Sequence, residues 1–503
     1  VQQLSGLDAS FLYLETPNAP MHVGGFAIYD PSTIPGGQTL RFTEIMRNIE
    51  RRLHLARAFR QKVVNVPLNL DHPWWVEDAS FDLEYHVRHI ALPQPGDWRQ
   101  LCIQAARLHS RPLDLTRPLW ELYVIEGLDG VEGLPKASFA ILFKIHHAAI
   151  DGVTGAEIIA ALHDLDPEPQ SVPKPERAWE PEPDPTPWDL LARASWNAAV
   201  RPFGFGQLAL RTMPAFAKLR SEFSSRRLRP ERLAGEAPRT RFNGTVSPHR
   251  VVEGRSFDLG EIRQIKASVE SATVNDVVLA VCGGALARYL RAKGELTERP
   301  LIAMAPISVR SEDEKGKGGN RVSGMAVGIG THVDDPIARL HNVHQGAVES
   351  KALVNAIGAR LMTDYSQFIP SATAGLAARL YSQLAMANRI QPFFNTVITN
   401  VPGPQMPLYA HGARLVSQYG MGPVAEGIGL IHPVFSYCGQ ITIAVTACRE
   451  MMPDPGFYAE CLQDSYEEMR HAAIGPRPAA RRSKRVNGKR RAPDRAMQSA
   501  VSA

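Results

Sequence analysis

Residues 143–152 read FKIHHAAIDG. Two adjacent histidines, His146 and His147, are followed at short range by Asp151 and Gly152. These residue types can move a proton, bind a metal or hold a tight turn. An imidazole with a pKa of about 6.5 is substantially neutral at physiological pH and so can serve as a base. The run ASFAILFKIHH (137–147) has the apolar and β-branched content of a strand. Side chains alternate faces along a strand, so Phe139, Ile141, Phe143, Ile145 and His147 share one face. Ala140, Leu142, Lys144 and His146 share the other. Neighbouring histidines that point apart cannot grip one ion, and no HExxH or other carboxylate spacing completes a metal site, so none is expected. One histidine should be structural and the other free to act. Gly152 removes a side chain where a substrate needs close approach. Asp151 can hold the turn or pair with an arginine from later in the chain. TGAEIIAALHDL (154–165) has helical spacing, which places the pair at a strand-to-helix junction, a frequent site of catalytic groups. The same residues also fit a satisfied pair in a core turn, and spacing alone does not choose between the two.

Other chemistries find little support. The chain has no GxSxG nucleophile elbow and no GxxxxGK[ST] phosphate loop. GMGPVA (420–425) loosely resembles a dinucleotide turn but contains a proline and opens no clear helix. No serine or cysteine stands out as a nucleophile. A histidine acting alone as general base remains.

The elements that must position it follow from the rest of the sequence. The 503 residues exceed one ordinary core, so two domains of roughly 150–250 residues each are expected. Hydrophobic residues make up 44% and charged residues 21%, as in ordinary globular proteins. The five cysteines are odd in number and lack a CxxC, which fits a reducing cytoplasm better than a disulfide framework or a zinc knuckle. Residues 1–15 carry no secretory leader pattern. Residues 21–30, 119–128 and 137–147 read as strands, and 42–53 and 98–109 as helices, with Ile45, Ile49 and Leu53 four apart. Residues 166–187 hold eight prolines, an extended connector. Residues 188–222 combine apolar bulk with Arg193, Arg201, Arg211, Lys218 and Arg220, and predict a basic amphipathic helix pair broken near Pro202 and Gly204. That pair suits either a membrane surface or the domain junction. From about residue 240 a second α/β unit begins. Thr273 and Asn275 are placed to cap a helix over 276–292. Strands follow at 299–309, 322–330, 395–401 and 437–447. Residues 427–448 lack any Asp, Glu, Lys or Arg, yet Pro433 and the alternating QITIAVTA indicate two buried strands rather than a membrane span. Residues 476–503 carry nine Lys or Arg against one Asp, a charge of +8 out of a total of +5. This tail should be disordered. It serves as a solubilising segment or as an attraction to anionic lipid or nucleic acid.

HHAAIDG fits the HHxxxDG pattern of the CoA-dependent acyltransferase superfamily. Further stretches resemble one branch, the bacterial wax ester synthase/diacylglycerol acyltransferases. The opening LSGLDASFLYLETPNAPMHVGG (4–25) looks like that family's start. RPLWELYVIEGL (117–128) contains its PLW motif and NDVVLAVCGGALARYL (275–290) its ND motif. PISVR (306–310), the pair Gly319–Asn320, TNVPGPQMPLYAHGA (399–413) and SYCGQITI (436–443) match in order, so the resemblance spans about residues 4–460. The tail beyond 475 matches nothing in it.

The resemblance implies an α/β fold of two chloramphenicol-acetyltransferase-like halves joined by a long linker, with the active site between them. The halves are then 1–165 and 240–474, separated by the linker and basic helices of 166–239 and followed by the basic tail of 475–503. It implies that His147 is the general base for an alcohol attacking an acyl-CoA thioester, with no acyl-enzyme, and that Asn275 contributes to oxyanion stabilisation. His146, Asp151 and Gly152 become structural, with Arg310 the expected partner of Asp151. Pro118, Leu119 and Trp120 would shape a substrate channel, joined in substrate binding by Asp276 and Asn320. No cofactor is required, since acyl-CoA is a substrate. The acceptor would be diacylglycerol or a long-chain alcohol, and burial of an acyl chain at about 0.8 kcal/mol per methylene calls for an apolar tunnel. The protein is expected in the cytoplasm, peripherally on membranes or lipid droplets, with no nucleic-acid partner. Two alternatives share the fold: a carrier-protein-dependent condensation-type enzyme, and a non-catalytic lipid-droplet-binding protein.

Overall fold

The computed structural model describes residues 1–37, 41–150, 155, 158–159, 161–168, 172, 179–224, 237–308, 322–357 and 371–476. Asp151, Gly152, Arg310 and Asn320 lie outside the described residues, as do residues 169–171 and 173–178 of the connector and the tail from residue 477.

The first part of the chain runs β1 (Gln2–Gln3), α1 (Gly6–Leu14), β2 (His22–Asp30), α2 (Phe42–Arg52), β3 (Gln61–Val64), β4 (Trp74–Glu77), β5 (Val87–Ala91), α3 (Trp98–His109), β6 (Trp120–Glu126) and β7 (Phe139–His146). Local chemistry accounts for these boundaries. Ile45 and Ile49 form the buried stripe of α2. Asp97 starts α3 by accepting from the Gln100 main-chain N–H at 2.8 Å, while the Gln100 side chain accepts from Asp97 N.

A single helix, α4 (Pro187–Ser224), follows the connector. The expected break near Pro202 does not occur. Pro202 leaves one helical carbonyl, that of Ala198, without its donor, but both residues are exposed and water can replace the bond. The other side of the helix is anchored. Leu190 and Ala194 pack on Val66, Trp74 and Val76, and Asn197 and Arg201 both bind Asp71.

The second part comprises β8 (Arg250–Asp258), α5 (Leu259–Lys266), α6 (Val274–Ala292), β9 (Ile302–Ser308), β10 (Val322–Gly328), α7 (Pro336–Ile357), α8 (Ser371–Gln383), β11 (Thr396–Pro402), β12 (Tyr409–Ala410), β13 (Ala413–Met421), β14 (Leu430–Tyr437), β15 (Gln440–Cys448) and α9 (Pro455–Ile474). Residues 427–448 contribute the two strands expected of them, paired antiparallel. No helix among the described residues is long and apolar enough to cross a membrane.

Two six-stranded sheets organise the molecule, one in the order β12–β13–β2–β7–β6–β5 and the other β10–β9–β11–β14–β15–β8. A small sheet, β1–β4–β3, seats α4. The sheets cross the expected boundary between 1–165 and 240–474. β13 pairs antiparallel with β2, so residues from the second part complete the first sheet, and Asp164 bridges Tyr409. The cause is register. β2 is an otherwise open edge beside β7, and pairing satisfies its main-chain groups. In the second half α6 is almost wholly buried between α7 and α9. Gly283 and Gly284 permit that approach, because a Cβ at the first would collide with the Ile329 carbonyl oxygen and at the second with Arg339 and Ser465.

Candidate active site

β7 lies between β2 and β6, antiparallel to both, which places His146 opposite His22. The strand ends at His146, and His147 begins a short 3-10 turn, His147–Ala149. Two main-chain bonds hold this junction: His146 N donates to Leu119 O at 2.9 Å, and His147 N to Met21 O at 2.8 Å.

His146 is fully buried, and its tautomer follows from its partners. Its Nδ1 accepts from Ala148 N at 3.1 Å, so the proton is on Nε2, which donates to Glu15 Oε2 at 3.1 Å. The same Glu15 oxygen accepts from Met21 N at 2.7 Å. Glu15 thus ties His146 to the segment that receives His147.

His147 is half-buried and stacks on Phe11 of α1, ring centroids 3.9 Å apart and planes 12° apart. Its Nδ1 is enclosed and meets no partner other than the influence of its own carbonyl. Nε2 has no hydrogen-bond partner among the described residues. Burial, helped by the neighbouring His146, pushes its pKa down to about 4. The imidazole is therefore neutral at physiological pH, with one nitrogen free to accept a proton.

The strand behind the pair is equally polar. Lys144 Nζ, wholly buried, binds Glu121 Oε2 at 2.9 Å and the carbonyls of Leu108 and Arg111 at 3.2 and 2.9 Å. His22 Nε2 donates to His109 O at 2.5 Å, and His109 Nε2 donates across to Gly422 O, just beyond β13, at 3.0 Å. Burial drives His22 well down and His109 to about 3, so both stay neutral beside Lys144. The seam between the halves runs past this cluster. Trp98 Nε1 donates to Glu253 Oε1 in β8 at 2.6 Å, and Ala19, two residues before Met21, is embedded in the core of the second half.

Pro118 and Leu119, expected with Trp120 to shape a channel, lead into β6, where Trp120 pairs with Ile145 of β7. All three are buried; Trp120 is 1% exposed, donates to Phe59 O at 3.0 Å, and is enclosed by Phe59, Phe81, His86 and Phe143. An indole this size gains most from full burial, and its N–H finds a main-chain acceptor. The motif supports the histidine strand, through the Leu119 carbonyl.

Thr273 alone caps α6, and Asp276 completes a capping box, accepting from Thr273 N at 2.8 Å. Asp276 is buried, and its Oδ2 also accepts from His344 Nδ1 at 2.9 Å. Asn275, in the first turn, is half-buried and has no hydrogen-bond partner among the described residues. No hydrogen bond among the described residues links Asn275 to His147.

Phe11, Glu15, His22 and His109 escaped the sequence reading. The signal closest to hand was Glu15, one of two acids in the opening stretch; the rest required the strand register.

Residues 4–278 match the model of the wax ester synthase/diacylglycerol acyltransferase catalytic domain, and residues 318–470 that of the WS/DGAT C-terminal domain. The chain is 33% identical to a Mycobacterium tuberculosis protein provisionally named a diacylglycerol O-acyltransferase, over 93% of this chain and 90% of that one. It is also 33% identical to the O-acyltransferase WSD of Acinetobacter baylyi, over 90% of this chain and 93% of that one. Among solved structures it is similar to the wax ester synthase/diacylglycerol acyltransferase of Marinobacter aquaeolei VT8, with a TM-score of 0.65, 27% identity, and coverage of 94% and 99%. The first condensation domain of the calcium-dependent antibiotic synthetase, at 13% identity, a TM-score of 0.53 and coverage of 95% and 98%, shares the fold. Fold and family together define an acyltransferase built from two chloramphenicol-acetyltransferase-like halves. The chain belongs to the wax ester synthase/diacylglycerol acyltransferase family.

Proposed function

We propose that the protein transfers a long-chain acyl group from acyl-CoA to the hydroxyl of diacylglycerol or of a long-chain alcohol, with His147 as general base. The observation that carries this reading is a neutral imidazole, stacked on Phe11, whose Nε2 has no hydrogen-bond partner among the described residues. Nε2 takes the hydroxyl proton as the oxygen attacks the thioester carbonyl. The tetrahedral oxyanion is stabilised by donors, Asn275 among them, and its collapse breaks the carbon–sulfur bond. The departing CoA thiolate takes the proton back from His147. Attacking alcohol and leaving thiol exchange one proton, so a single base serves both steps and no acyl-enzyme forms. The acceptor names carried by the Mycobacterium and Marinobacter relatives support the substrate class. Product and acceptor are both water-insoluble, so the enzyme works peripherally on a membrane or lipid droplet.

The test is turnover of labelled palmitoyl-CoA with dioleoylglycerol and, separately, with hexadecanol, for wild type and His147→Ala. Ester formed with one acceptor and lost in the variant is expected and names the acceptor class. Equal ester from both proteins would remove His147 from the mechanism. Absence of CoA release with either acceptor would redirect the search to carrier-protein-bound acyl donors.

A further inference from the structure

We infer that the outer face of α4, the Pro67–Asn69 turn and α8 form one docking surface for an anionic phospholipid bilayer or monolayer, set beside the candidate active site. The inference rests on the lipid-acceptor reading above and specifies where the lipid surface meets the protein.

α4 has two unlike sides. With 3.6 residues per turn, the anchored residues Leu190, Ala194, Asn197 and Arg201 fall on one side. Trp188, Trp196 and Phe203 fall roughly opposite, with Val200 on the flank. They are turned to solvent, with the two tryptophans 79% and 72% exposed and Phe203 76%. A helix apolar on both sides, with only one side covered, has an unpartnered face.

That face continues across neighbouring elements. The Pro67–Asn69 turn touches both α4 and α8. It holds Leu68 84% exposed, with a left-handed φ of 57°, a conformation that costs a leucine energy and gains nothing from burial within this chain. α8 and the residue after it present Leu376, Leu380 and Leu384, four apart and all exposed. α8 packs on α1, and α1 carries Phe11, the ring stacked on His147. An acceptor leaving a lipid layer at α8 is therefore one helix away from the base.

Charge selects the occupant. Residues 371–395 contain no Asp or Glu, and Arg379 and Arg389 are exposed there. Arg193 and Arg201 of α4 are engaged on its anchored side, over Trp74 and with Asp71, so the cations offered to the lipid are Arg379 and Arg389. Exposed tryptophan and leucine rimmed by arginine match the boundary between acyl chains and phosphate headgroups, where indole rings settle and cations meet anionic lipid.

The test is flotation of the full chain with vesicles of phosphatidylcholine alone and of equal parts phosphatidylcholine and phosphatidylglycerol. Wild type should float with the mixed vesicles, less so at high salt. The double variant Trp196→Glu/Phe203→Glu should lose roughly tenfold or more of that partitioning. Transfer to a short, water-soluble alcohol should be unchanged in the variant, while transfer to vesicle-borne dioleoylglycerol should fall. Wild type that stays with the soluble fraction, or a double variant that floats equally well, would overturn the inference. So would conversion of a dimer to a monomer with flotation unaltered, which would assign the face to a second copy of the chain. Should the double variant not fold, Leu376→Glu/Leu380→Glu on α8 carries the same expectation. Flotation needs no turnover, so an inactive protein that still floats would count against the proposed reaction and not against the surface.

Discussion

His147 and His432 occupy comparable positions and have opposite fates. Each belongs to a central region of a six-stranded sheet, at the end of β7 and within β14. Burial pushes both pKa values down, to about 4 for His147 and about 3 for His432. Their partners differ. His432 is wholly buried, with Nδ1 3.1 Å from Thr396 Oγ1 and Nε2 2.7 Å from Tyr458 OH, so both nitrogens are used. His147 stands where the strand gives way to a turn, packed on one face by Phe11 and with Nε2 unclaimed among the described residues. A depressed pKa therefore marks burial in both sheets. Under the proposed mechanism the histidine that acts is the one whose Nε2 has no partner among the described residues.

That contrast can be broken in order of expected size. His147→Ala should lower kcat by about a thousandfold, within the range for loss of a general base, without altering the melting temperature much. Asn275→Ala should cost about a hundredfold in kcat with KM little changed, the signature of a donor used mainly in the transition state. His432→Ala should do the reverse. It leaves the hydroxyls of Thr396 and Tyr458 buried with a lost partner, so stability in urea should drop by about 2 kcal/mol while the rate per folded molecule holds. Glu15→Ala removes the acceptor of His146 Nε2 and Met21 N; kcat should fall about tenfold, and Glu15→Gln, which keeps an acceptor oxygen, should recover much of it. The smallest effect is the most discriminating. With a pKa of about 4, His147 stays neutral at pH 5.5, so kcat/KM should change less than about twofold between pH 7.5 and 5.5 and fall only as pH approaches 4. An ordinary histidine would lose roughly tenfold over the same interval. Stability has its own sign. The folded-state pKa values of His22, His109, His147 and His432 lie below the unfolded value, so the unfolded chain binds more protons and the fold weakens as pH drops below about 6.5. Rates at low pH are therefore to be read on protein shown to remain folded.

Much of the molecule was legible before its structure. The helix at 42–53 declares itself through Ile45 and Ile49, and the strand at 137–147 through its apolar run, because those signals are periodic and local. Trp120 is harder to place for the complementary reason. A tryptophan beside a motif reads the same whether it lines a channel or fills a core, and only the surrounding Phe59, Phe81 and His86, distant in sequence, decide. Asp276 bonds to Thr273, a partner the sequence offered, and to His344, one it did not. The expected break in α4 failed because Pro202 was weighed by its own missing donor. The face anchored to Asp71 and Trp74 outweighed it.

Sequence alone determined the identity of the histidine pair, several of the strands and helices, and the family, since each depends on residue type and short-range spacing. Tertiary structure decided which nitrogen of which histidine is left open. It brought Glu15 and Phe11 to the pair across more than a hundred residues, and it completed the first sheet with β12 and β13 from the far part of the chain. Those outcomes depend on strand register and on the pairing of buried polar groups. No local pattern encodes either one, because the partner that satisfies a group is chosen only once the chain has closed around it.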